Sequence, residues 1–195
     1  MTHQQAQAML ELKNFIKSKI HLNETELEEI CSKFKSLDLA KNSHLLRKGQ
    51  LTTSYYFLQK GAIRIYFEHN HTASTAWFAF ENDFFTDLSS LKSGLPSQYN
   101  IQALEPCKLY YIKNNSMERL YDKHPILQKF GRLVWESAFV NVINGIINFQ
   151  TMTAKERYSI ALKNPDLMQR VPLQYLASYL GITQTSLSRL RKEIK

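Results

Sequence analysis

The sequence predicts an α+β protein in which a β-rich middle is enclosed by helical ends, and three observations carry that prediction. The hydrophobic period switches from helical to alternating near residue 43 and returns to helical after residue 122. With 195 residues, 44% hydrophobic and 22% charged, the chain has the make-up of an ordinary globular protein and the length for one large or two small domains. Its net charge of +8 is unevenly placed, because residues 151–195 carry Lys155, Arg157, Lys163, Arg170, Arg189, Arg191, Lys192 and Lys195 against Glu156, Asp166 and Glu193, a balance of +5. Such an excess points to a polyanionic partner, either nucleic acid or an acidic membrane surface.

Over residues 10–34, Leu12, Phe15, Ile16, Leu22, Leu27 and Ile30 recur at helical spacing. Asn23 stands as an N-cap with Glu26 three residues on, a capping-box spacing, so two short helices are expected. Residues 43–112 are rich in Tyr, Phe, Ile and Thr and are punctuated by Gly49, Gly61, Asn70 and Gly94 to Pro96. Alternation in Ala62-Ile63-Arg64-Ile65-Tyr66-Phe67 sets Ile63, Ile65 and Phe67 on one face, and Trp77 to Phe80 and Lys108 to Ile112 read similarly. Many short strands with tight turns imply a sandwich or small barrel.

After Asp122, Pro125 opens a helix of roughly 25 residues, about 38 Å long. Counting by four and three from Ile126 gives Phe130, Leu133, Ser137, Val140, Asn144 and Ile147 as its seam. Two readings stand: a helix packed on its own β-domain, or one that also pairs with a second subunit. The apolar run of residues 139–149 is broken by Asn141, Asn144 and Asn148, so no membrane span is expected. The start of the chain lacks the basic and apolar pattern of a secretory signal, and Cys31 and Cys107 form no CxxC pair. A reducing, cytoplasmic setting is expected, with no disulfide framework, metal site or cofactor.

Residues 173–192 fit a helix-turn-helix. Ala177 is small where two helices cross, Gly181 suits the tight turn, and Thr183 is placed to cap the second helix or to meet a phosphate. Leu176, Leu180, Ile182, Leu187 and Leu190 face a common core, which leaves Gln184, Thr185, Ser188, Arg189 and Lys192 outward. Amide, hydroxyl and guanidinium groups on one face are what major-groove reading uses. Arg189 is expected to be the chief base reader, with Gln184, Thr185 and Ser188 secondary and Arg191, Lys192 and Lys195 on phosphates. The alternative is an ordinary helical hairpin with a solvated polar face.

Five stretches together resemble the Crp/Fnr transcription regulators across almost the whole chain: Leu45-Leu46-Arg47-Lys48-Gly49, Tyr55 to Ile65, Leu104 to Tyr110, the helix after Pro125, and residues 173–191. That resemblance implies N-terminal helices with a jelly-roll-like β-roll sensor (residues 1–122), a dimerisation helix (123–150) and a helix-turn-helix DNA-binding domain (151–195). It further implies a homodimer on a near-palindromic operator in double-stranded DNA, with RNA polymerase as a further partner. The given sequence ends at Lys195, so a truncated wing is expected. Family members often read Glu-x-x-Ser-Arg in the recognition helix; here Ser188 and Arg189 remain while Thr185 replaces the glutamate, which predicts a different operator preference. The family's nucleotide cassette, Gly-Glu-Leu then Arg-Ser/Thr-Ala, corresponds to Thr86-Asp87-Leu88 and Ser97-Gln98-Tyr99. Without the arginine the charge-assisted contact to a cyclic phosphate is lost. Asp87, Leu88, Ser97, Gln98 and Tyr99 are therefore expected to line a degenerate effector pocket, for an unknown ligand or none, that does not respond to cyclic AMP.

Two rival functions differ in class. One is a ligand-sensing β-roll whose C-terminal helices bind protein. The other is a cupin-like metalloenzyme using His69 and His71, but Glu68-His69-Asn70-His71 reads as a hairpin turn and the next glutamate is Glu81. Asp83 and Asp87 lack an acid/base partner or a Gly-rich phosphate loop, so no enzyme is expected.

Overall fold

The computed structural model describes residues 9–70 and 72–193, so His71 and Lys195 lie outside the described residues. Helices α1 (Leu10–Lys19) and α2 (Glu24–Ser32) come first. The Asn23 side chain accepts from the Glu26 N–H at 2.9 Å, and the Glu26 carboxylate accepts from the Asn23 N–H at 3.1 Å, the expected capping box.

The strands are β1 (Lys35–Leu39), β2 (His44–Leu46), β3 (Ser54–Lys60), β4 (Ile63–His69), β5 (Thr72–Ala79), β6 (Phe84–Phe85), β7 (Asn100–Ala103) and β8 (Cys107–Lys113), with α3 (Leu88–Ser93) between β6 and β7. They form two antiparallel four-stranded sheets, in the orders β1-β8-β3-β6 and β2-β7-β4-β5. Strand β1 lies ahead of the segment expected to be β-rich. It is an edge strand with Lys35, Ser36 and Asp38 exposed, so it carries little hydrophobic signal. At the β3–β4 turn Gly61 has φ +114°, and a Cβ there would stand 2.5 Å from Cys107 Sγ and 2.9 Å from Cys107 Cα, so glycine alone fits.

Pairing of the strands sorts the side chains by face. Leu58 opposite Leu109 points inward and joins Ile63, Ile101 and Phe85 between the sheets. Tyr55 opposite Ile112 and Phe57 opposite Tyr110 point outward, where α1, α2, α4 (Asn114–Lys123) and the first part of α5 (Ile126–Thr151) cover them. The second sheet is covered differently. Its outer face, at Ala62, Phe78 and Leu104, shares a core with the C-terminal helices α6 (Ala154–Ala161), α7 (Pro165–Arg170), α8 (Leu173–Tyr179) and α9 (Gln184–Glu193). Strand β4 is consequently buried on both sides: Ile63 is 0% exposed and Arg64, read from alternation as the outward position, is only 3% exposed. The bulge opposite Ile65 and Tyr66 lies in β5, where Ala76 is the extra residue, and Phe67 ends up exposed near the hairpin tip.

Pro125 stands at the start of the 26-residue helix α5 in helical conformation. Its buried residues are Leu127, Phe130, Gly131 and Val134, so the expected seam holds at Phe130 but is offset on either side, where Leu127 is buried and not Ile126, and Val134 more than Leu133. The first turns of α5 face the roll and the last ones do not, so no single seven-residue count fits both. Beyond Ser137 the helix leaves the roll, and Phe139, Val140, Val142, Ile143, Ile146, Ile147 and Phe149 are exposed. Among the described residues no helix is long and apolar enough to cross a membrane.

Candidate nucleic-acid interface

Helix α5 ends at Met152, whose φ of −104° and ψ of 146° are extended. The next helix is restarted by Thr153, which accepts from the Glu156 N–H while the Glu156 carboxylate accepts from the Thr153 N–H at 2.7 Å. The link between the two helices is therefore two extended residues, Met152 and Thr153. It is not loose. The Arg157 guanidinium donates to the Met152 carbonyl at 2.6 Å, to the Phe149 carbonyl at 3.3 Å and to the Leu180 carbonyl at 2.9 and 3.2 Å. It also stacks on the Phe149 ring at 4.7 Å. One side chain thus satisfies carbonyls at the end of α5 and at the end of α8.

The turn between α8 and α9 follows from Gly181. With φ +68° it places the Ile182 N–H on the Ala177 carbonyl at 3.0 Å and the Gly181 N–H on the Ser178 carbonyl at 3.1 Å, a Schellman motif. Thr183 then accepts from the Ser186 N–H at 3.1 Å, so its hydroxyl serves as the cap of α9. Leu176, Ala177, Leu180 and Leu187 are buried, and Ile182 and Leu190 pack partly against them. Gln184, Thr185, Arg189, Arg191 and Lys192 are exposed and Ser188 is half-buried. Gln184 and Ser188, and Thr185, Arg189 and Lys192, are spaced by three and four residues, so these side chains share one side of α9.

The residues expected at the effector site have mainly local partners. Asp87 caps α3, accepting from the Ser90 N–H at 3.0 Å, and its other carboxylate oxygen has no hydrogen-bond partner among the described residues. The Ser97 hydroxyl donates to the Tyr99 carbonyl at 3.2 Å and accepts from the Tyr99 N–H at 3.0 Å. Asp87 and Ser97 are buried, whereas Leu88, Gln98 and Tyr99 are exposed. Nearby, Lys92 is engaged with Glu118 at 3.0 Å. Among the described residues no group of three or more His, Cys, Asp or Glu side chains is arranged to hold a metal. Cys31 and Cys107 are buried and their thiols are pushed up to about 11 by that burial, which makes them poor nucleophiles.

Three arginines that hold the C-terminal helices in place were not identified from sequence as positioning groups: Arg157, Arg170 and Arg64. For Arg64 a signal existed, a cation in the middle of an alternating strand; Arg157 and Arg170 looked like part of a general basic excess.

Residues 37–124 match the cyclic nucleotide-binding domain family. No curated protein matches the chain by sequence. Among solved structures, FixK2 from Bradyrhizobium japonicum is 18% identical with a TM-score of 0.69, over 83% of this chain and 84% of its own. A cyclic nucleotide-binding domain containing protein from Listeria monocytogenes is 17% identical with a TM-score of 0.70, over 94% and 90%. A CooA variant from Carboxydothermus hydrogenoformans is 17% identical with a TM-score of 0.67, over 95% and 83%. The roll thus has the fold of a cyclic nucleotide-binding domain. Taken from α1 to α9, the chain has the fold of a Crp/Fnr-type regulator.

Proposed function

We propose that the protein is a homodimeric, sequence-specific DNA-binding transcription regulator whose α9 enters the major groove. The observation that carries this reading is the outer face of α9. Amide, hydroxyl and guanidinium groups stand exposed together there, on a helix fixed by a Schellman turn and a threonine cap. The exposed apolar half of α5 supports a second copy as its partner, since a stripe from Phe139 to Phe149 on one helix suits a two-fold, self-complementary pairing. Such pairing would present two copies of α9 about 34 Å apart, one DNA turn, to a near-palindromic site.

The assigned roles are base reading for Arg189, with Gln184, Thr185 and Ser188 beside it, and phosphate contact for Arg191, Lys192 and Lys195. Thr183 acts as helix cap. The loss of the cassette arginine argues against cyclic AMP as effector, and Asp87 and Ser97 contribute to the structure of the degenerate site rather than to phosphate binding. Selection of bound sequences from random DNA tests the proposal, and the expected product is a palindrome. Arg189→Ala should cost about 1–3 kcal/mol and blur base preference, while Lys192→Ala should weaken all sequences alike and flatten the salt dependence. Equal loss on selected and scrambled DNA for Arg189→Ala would remove its assignment as base reader. A thermal-shift titration with cyclic AMP should give no stabilisation, against about 2.7 kcal/mol for a ligand at 100 times its Kd.

A further inference from the structure

The contact between the second sheet and the C-terminal helices is built by two arginines pointing in opposite directions. From the roll, Arg64 of β4 is 3% exposed, donates from Nε to Thr75 Oγ1 at 2.8 Å, and lies between the rings of Tyr66 (4.2 Å) and Tyr175 of α8 (3.9 Å). It has no carboxylate partner among the described residues. In return, Arg170 of α7 grips Glu81 at 2.6 and 2.8 Å and Glu105 at 2.5 Å, two turns of the roll, together with Asp166 at 2.8 Å. Between these arginines Phe78 meets Tyr179 edge-on at 5.4 Å. The Thr75 N–H donates to the Ser178 hydroxyl at 2.9 Å, which itself donates to the Ala73 carbonyl at 3.1 Å.

Helix α8 is joined to α9 by the short rigid turn at Gly181, so whatever fixes α8 fixes α9. Contacts between domains of one chain usually permit relative motion unless they are large and apolar. Here Ala62, Phe78 and Leu104 of the roll belong to the same buried cluster as Leu176, Ala177 and Leu187. A guanidinium buried without a carboxylate depends on its aromatic neighbours, and Arg64 loses one of them when α8 moves away. Sliding is therefore disfavoured, and docking is closer to all-or-none.

We propose that Arg64 and Arg170 are positioning residues for DNA recognition: by holding α8 and α7 against the roll they fix the direction in which each α9 leaves the dimer, and hence the half-site spacing that the protein accepts. The proposal rests on the DNA-binding reading of α9. Its test uses the full chain and a library of palindromes with varied spacers, with exchange of the Thr75 amide followed in the absence of DNA. Arg170→Ala, at the partly exposed edge, is the main variant; Arg64→Leu, which keeps bulk in the buried position, is the second, since Arg64→Ala risks unfolding the hairpin. Expected are a wild type that prefers one spacing at least tenfold over its neighbours, and variants in which that preference falls below threefold while Thr75 exchanges at least tenfold faster. Arg170→Lys, which keeps the charge but not the fork, should fall between wild type and Arg170→Ala. If both variants keep the wild-type spacing preference, or leave Thr75 exchange unchanged, the positioning role is overturned while DNA binding stands. If the wild type selects no DNA sequence, the reading of α9 fails, and the positioning role with it.

Discussion

Arg157→Ala should destabilise the protein by about 2 kcal/mol. The guanidinium has two good contacts, to Met152 at 2.6 Å and Leu180 at 2.9 Å, and two longer ones to Leu180 and Phe149 at 3.2 and 3.3 Å. A hydrogen bond to a charged group contributes about 1.5–3 kcal/mol, and stacking on a partly exposed ring about 0.5–1 kcal/mol. The gross loss from the two short bonds and the ring is thus about 4 kcal/mol. The freed carbonyls lie at helix ends, and Phe149 is 55% exposed, so water recovers roughly half of it. In a chain of this length about 2 kcal/mol corresponds to a fall of roughly 4–8 °C in Tm. Thermal and urea denaturation of Arg157→Ala and Arg157→Lys provide the measurement. Lysine has the charge but not the planar fork needed to reach three carbonyls, so it should recover less than half of the loss. An Arg157→Ala variant within about 0.5 kcal/mol of wild type, the usual range for surface substitutions, would refute the bridging role, as would full recovery by lysine.

Three further outcomes are expected. Gly181→Ala combines a left-handed backbone with a Cβ placed 2.6 Å from the Phe149 ring, and should cost about 2 kcal/mol in wild type but only about 1 kcal/mol in a Phe149→Ala background, as read from a double-mutant cycle. Burial works to raise the Glu81 carboxyl, but the Arg170 fork and the Gly61 N–H outweigh it and hold its pKa below the ordinary 4.5. A depressed carboxylate stabilises fully above its unfolded value and loses that contribution as the pH falls through its folded value, so urea midpoints should drop below about pH 4.5, and Glu81→Gln should flatten that drop. Ile146→Asp on the exposed half of α5 should weaken self-association at least about 100-fold by sedimentation, since an unpaired buried charge costs roughly 3 kcal/mol or more; an unchanged dimer would place the interface elsewhere.

What was legible in the sequence is what local rules encode. Asn23 with Glu26, Pro125, and the set of Ala177, Gly181 and Leu187 each occupy positions whose conformation or burial depends on residues a few places away. The offset seam of α5 marks the limit of that approach, because two helix faces with different partners do not fit one repeat. Arg64 marks it more clearly. Alternation assigns it to the outer face, and it is there, but Tyr175, which covers it, comes 111 positions later and no local period connects the two. For the effector stretch, correspondence to a cassette pointed to the segment between β6 and β7. It did not reveal that Asp87 caps α3 or that Ser97 closes on Tyr99, since both uses depend on the path of the backbone.

The same contacts change what the charge balance means. Of the eight basic side chains in residues 151–195, Arg157 is bonded to three backbone carbonyls and Arg170 to three carboxylates. Neither is available to a phosphate without giving up those partners. The cations left free on α9 among the described residues are Arg189, Arg191 and Lys192. Part of the balance of +5 lies elsewhere, at Lys155 and Lys163, so α9 itself offers a polyanion less than that figure suggests, and specificity would have to come from where those few groups stand. That requirement suits an α9 whose N-terminal turn is held through α8, which is tied to α5 by Arg157 and packs on the roll. With few phosphate contacts to hold a head on DNA, an α9 free to swing would lose in orientation what it lacks in charge.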